Sequence, residues 1–178
     1  MLKNNCCNSI TKNLLCIKNQ QFRYIGRAGN LAWLGFGEDV ICKNYKGENR
    51  IKSRYALHIQ CPFRITLREK KKLGSYDMYE PNSTINCSDD FKWNESGKNL
   101  YDEKASMITQ ELSLNDIRVV DVNSNEMGDL VIRLSNGWII EAFTNSSSEM
   151  EEWRIFETGN LNKHFTVMTK NDGTVEVE

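Results

Sequence analysis

The side chains able to move a proton or hold an anion are few, and they fall at matched places. His58 lies in the run Tyr55–Gln60, and Arg64 follows it directly after Phe63. Glu141 lies in the run Trp138–Phe143, and Arg154 follows it directly after Trp153. Laid side by side, the two stretches set His58 against Glu141 and Arg64 against Arg154. An imidazole or carboxylate beside a guanidinium can bind an anion or relay a proton. The spacing therefore points to a polar pocket lined by His58, Arg64, Glu141 and Arg154. The same residues also have a purely structural use. Glu141 on an apolar strand face would need a partner, and Arg154 is the nearest bidentate one.

The remaining inventory argues against catalysis. The only other histidine, His164, has no second ligand at metal-binding spacing, and neither has His58. His58 and Cys61 project from opposite faces of a regular strand, so they form no dyad within it. No nucleophile elbow, P-loop or dinucleotide-binding glycine pattern occurs, and Gly26-Arg27-Ala28-Gly29 reads as a turn. No metal and no cofactor is expected. Six cysteines, at 6, 7, 16, 42, 61 and 87, show no CxxC pair. The first residues hold no uninterrupted apolar h-region, and no run reaches the roughly 20 apolar residues of a membrane span. A cytosolic protein with reduced thiols and no membrane association is the expectation.

A net charge of −1 conceals an asymmetry. Residues 1–106 carry 18 Lys and Arg against 11 Asp and Glu, whereas residues 107–178 carry 5 against 13. Lys70-Lys71-Lys72 is short and lacks nearby aromatics, which disfavours nucleic acid. In the acidic half, Glu149, Glu151 and Glu152 stand beside Trp153. Such a cluster could form an acidic rim around an aromatic anchor for a basic protein partner. Trp93, in the polar stretch 69–99, offers a second aromatic contact.

The elements that must position these residues read mostly as strands. Asn136-Gly137 between two apolar runs signals a hairpin with a two-residue type I′ turn. That register sets Leu134 against Ile139, Ile132 against Glu141 and Leu130 against Phe143, placing the carboxylate on an apolar face. Strands are expected at 21–28, 31–36, 55–60, 63–67, 117–122, near 153–156 and at 165–169. Residues 1–20 fit a short amphipathic helix, and residues 100–112 a second helix with Asp102 as its N-cap. Residues 38–53 read as a polar connection and 69–99 as an irregular excursion. The whole is one α+β domain of 178 residues, rich in antiparallel sheet. Two similar four-stranded halves, 21–67 and 116–156, would pack about a pseudo-twofold axis, joined by the excursion and helix of 68–115.

The phrases YALHIQCPFRI (55–65) with a preceding FG (36–37), GDLVIRLSNGWIIEAFTNSSSEMEEWRIF (128–156) and HFTVM (164–168) resemble a family of small, uncharacterised bacterial proteins. The second phrase is also similar to immunity proteins encoded beside polymorphic toxins. The resemblance covers about half the chain and rests on strand patterns, not on a catalytic signature. It implies a cytosolic, non-enzymatic binder that neutralises a toxin domain, and the acidic second half would suit a basic one. Such relatives often carry Pro after the strand-ending Phe, where this chain has Thr144 after Phe143. The alternative is a small-ligand binder or enzyme using the pocket between the halves.

Overall fold

The computed structural model describes residues 3–85, 91–160 and 163–178, with side chains from Ser9 onward. Helix α1 (Lys3–Leu14) leads into β1 (Phe22–Ala28), β2 (Leu31–Lys43), β3 (Asn49–Ile59), β4 (Phe63–Leu67) and β5 (Lys70–Gly74). Helix α2 (Leu100–Leu114) leads into β6 (Val119–Ser124), β7 (Leu130–Leu134), β8 (Trp138–Ala142), β9 (Met150–Glu157), β10 (His164–Thr169) and β11 (Val175–Val177). Two antiparallel sheets result, in the orders β1-β2-β3-β9-β10-β11 and β5-β4-β8-β7-β6, so the α+β, sheet-rich class stands.

The strand order explains how the two matched stretches meet. Each helix is followed by a three-stranded meander, and the strands after it, β4 and β5 in one case and β9 to β11 in the other, cross over to the other sheet. Thus β4 pairs with β8 and carries β5 outside it, while β9 pairs with β3 and carries β10 and β11 outside it. The sheets also touch edge to edge. Phe22 N–H donates to Ile117 O at 2.8 Å and Val119 N–H to Gln20 O at 2.9 Å, linking the starts of β1 and β6.

One continuous core lies between the inner faces, with Leu34, Leu57 and Trp153 from the first sheet and Ile65, Ile132 and Trp138 from the second. Burying each such side chain contributes roughly 2–3 kcal/mol. Helix α2 packs against β1 and β5, and α1 against β6 and β11, so each closes a gap between sheet edges. The inward stripe of α2 is Tyr101, Ala105, Ile108 and Leu112, at helical spacing. Met107 is outside it and exposed.

Several expectations change. The Asn136-Gly137 hairpin is one residue out of the type I′ register: Ile132 pairs with Ile140 and Val131 with Glu141. Gly137 alone takes positive φ, at 84°, and its N–H bonds to Leu134 O. A three-residue turn with a glycine bulge therefore replaces the two-residue one. Because strand side chains alternate, the slip moves Glu141 off the apolar face and turns Trp138, Ile140 and Ala142 inward.

Residues 39–43 and 49–53 continue the β2–β3 ladder as a two-stranded arm instead of a polar connection. Lys70–Gly74 forms an edge strand within the stretch read as irregular. Helix α2 is capped by Asn99, whose side chain accepts from Asp102 N–H at 2.9 Å. Asp102 instead binds Arg27 through two hydrogen bonds of 2.7 and 2.8 Å. Among the described residues no helix is long and apolar enough to cross a membrane.

Candidate functional site

Two cross-strand rows on the outer face of the six-stranded sheet build the site. One runs Gly26, Trp33, His58, Arg154, and the other runs Tyr24, Gly35, Ala56, Phe156, His164. In the second row small residues at 35 and 56 lie between Tyr24 and Phe156, which leaves a hollow. Trp33 folds over Gly26, where a Cβ would come within 2.3 Å of its Cζ2, and Tyr24 folds over Gly35, at 2.4 Å from its Cζ. The two rings meet edge to face with centroids 5.3 Å apart.

The β2–β3 arm completes the hollow. Beyond the irregularity between Phe36 and Asp39 it carries Ile41 and Ile51, which are paired with each other, about three-quarters exposed, and part of the wall. The result is a basin of about 1050 Å³ whose lining also includes Cys42, Lys43, Lys52 and Thr158. Large concave surfaces with an apolar lining and a few polar groups are the usual seats of small ligands.

His58 stands at one side of this basin. Its Nδ1 is 3.3 Å from Arg154 Nη2. A guanidinium only donates, so Nδ1 accepts and the proton sits on Nε2. Burial lowers the His58 pKa from 6.5 to about 4, helped by the positive charges of Arg154, Lys52 and His164. Its ring meets Phe156 edge on at 4.8 Å, and Phe156 stacks on His164 at 5.0 Å. Arg154 in turn has Glu151 at 3.5 Å.

The expected four-residue pocket is divided by the fold. Glu141 pairs with Arg64, not Arg154, through bonds of 2.8 and 3.2 Å. These two are cross-strand neighbours on the outer face of the other sheet, with Arg64 over the Phe143 ring at 5.0 Å. His58–Arg154 and Glu141–Arg64 are thus corresponding pairs on different sheets. Each Arg partners the residue of the other matched stretch, and no pocket between the halves joins all four.

The acidic rim is divided too. Trp153 is fully buried, and its indole N–H donates to Gly128 O at 2.8 Å. Glu152 is 1% exposed and accepts from Ser146 N–H and the Thr169 hydroxyl. Neither can meet a partner at the surface. Glu149 is exposed, Glu151 is engaged with Arg154, and Trp93 joins Tyr79, 5.1 Å away, in an exposed aromatic patch.

Burial also raises the thiols of Cys61, to about 12, and Cys16, to about 11, so neither supplies a thiolate near neutral pH. Cys61 is buried beside Glu152, whose charge adds to its shift. Cys87 and the side chains of Cys6 and Cys7 lie outside the described residues. No group of three or more metal-binding side chains occurs among the described residues.

Sequence reasoning found His58 and Arg154 but missed Tyr24, Trp33, Phe156 and the arm. A signal was present. Tyr24-x-Gly26 and Trp33-x-Gly35 place an aromatic and a glycine alternately on the same strand face, the pattern of a ring folding over a bare backbone. Searches for matching protein-family models, curated proteins and solved structures find none.

Proposed function

We propose that this chain is a binding protein whose guest lies in the basin on the outer face of the six-stranded sheet, and that it performs no covalent chemistry. The observation that carries the reading is the basin itself. Tyr24, Trp33, Phe156, Ile41 and Ile51 give about 1050 Å³ of mostly apolar wall, with one neutral imidazole donor at its side. A non-catalytic role is supported by the chemistry present. His58 is held by a cation instead of being activated by a carboxylate, and the Cys61 and Cys16 thiols are raised by burial. The free thiols of Cys16, Cys42 and Cys61 suit the reducing cytosol, where we place the protein.

The test is a fluorescence titration with the neutral apolar probe N-phenyl-1-naphthylamine. Saturable one-to-one enhancement is expected with the native chain. Ala56→Trp, which fills the floor from the solvent side, should abolish it while leaving the fold intact by circular dichroism. Equal enhancement in both proteins would place the probe elsewhere and sink the reading.

A macromolecular partner is the second reading, in line with the resemblance to immunity proteins. It is favoured by a surface patch of Tyr76, Tyr79 and Trp93, in which Tyr76 is 73% exposed. Exposed aromatic clusters are common anchors at protein interfaces. Capture of a basic protein that is released by salt, and lost on Trp93→Ala, would support it.

A further inference from the structure

The charge around the basin selects the class of guest. Resting on the binding reading above, we infer that the guest is a small amphiphilic acid: a flat or extended apolar body with one anionic group. Two lysines, Lys43 and Lys52, line the basin, and none of its lining residues is Asp or Glu. Among the described residues neither lysine has an ion-pair partner, although eleven such pairs form elsewhere. The nearby carboxylates are already engaged: Glu38 with Arg54, Glu48 with Arg50, Glu151 with Arg154.

Beside the lysines the His58 imidazole, its Nδ1 engaged by Arg154, offers an N–H on Nε2. An apolar hollow edged by uncompensated cations favours a guest that places its body on Trp33 and Phe156 and its acid toward the lysines. A neutral guest would leave that field unused. A cationic one would be repelled.

The matched pair of probes is N-phenyl-1-naphthylamine and its 8-sulfonate, 8-anilino-1-naphthalenesulfonate, which share one aryl body and differ by one anionic group. The sulfonate should bind about two- to fivefold more tightly at low salt, the gain of one partly exposed charge contact. Raising the ionic strength should shrink that ratio. The double variant Lys43→Glu/Lys52→Glu should reverse the preference while the neutral probe keeps its affinity. Saturable binding of the neutral probe with equal or weaker binding of the sulfonate would overturn the inference and leave the binding reading standing. Failure of both probes to bind would overturn the two together.

Discussion

His58 and Arg154 are direct cross-strand neighbours, joined by a 3.3 Å contact from the guanidinium to imidazole Nδ1. A histidine partnered by a cation is the reverse of the usual arrangement with a carboxylate. It is held neutral first by burial, which disfavours the charged ring, and then by the positive charge of Arg154 beside it.

That geometry sets a pH dependence. The folded-state value, about 4, lies below the ordinary 6.5, so the unfolded chain takes up a proton first. The contribution is fully present above 6.5 and is lost as pH falls through the window from 6.5 to about 4. The urea midpoint of the native chain should therefore decline across that window. His58→Gln, which has no titration, should decline less. Parallel curves would contradict the assignment.

The glycines beneath the rings are the second point of sensitivity. Gly26→Ala forces Trp33 off its seat, and a clash of this kind costs about 1–3 kcal/mol. Because Trp33 is part of the basin wall, neutral-probe affinity should fall about tenfold, equivalent to roughly 1.4 kcal/mol. Thermal denaturation and the probe titration measure the two effects separately.

Arg27 ties α2 to β1 through Asp102. The Arg27 side chain is 5% exposed, and Asp102 also accepts from Gly97 N–H. Arg27→Ala leaves a partly buried carboxylate without its cation and should destabilise by about 3 kcal/mol. Arg27→Met combined with Asp102→Leu should recover much of that loss in equilibrium urea unfolding.

The acidic cluster separates by burial. Glu152→Ala leaves the half-buried Ser146 amide and the buried Thr169 hydroxyl without their acceptor and should cost about 2 kcal/mol. Glu149→Ala, at an exposed site, should change stability by less than about 0.5 kcal/mol. Similar effects at both positions would show that the two carboxylates do not differ in burial.

The fold was legible where periodicity is strong. The α2 stripe and most strands follow directly from apolar spacing, and the matched Tyr55–Ile65 and Trp138–Ile155 stretches foreshadow the two corresponding pairs. The partnering was not legible, because strand exchange between sheets is a long-range choice that no local pattern encodes. Hence Glu141 was matched with Arg154 although it binds Arg64. The hairpin register failed for a smaller reason. Asn136-Gly137 suits both a two-residue turn and a bulged three-residue turn, and burying Trp138 with Ile140 decides between them. Trp153 follows three close carboxylates, which suits a surface anchor as well as a core position, and strand alternation turns it into the core.

The most direct test of the binding reading is a methyl NMR titration with N-phenyl-1-naphthylamine, observing Ile41, Ile51, Ala56 and, on the other sheet, Ile139. The account predicts saturable shifts at the first three with Ile139 unmoved. Shifts confined to residues outside the basin, or no saturable shift at Ala56, would contradict it.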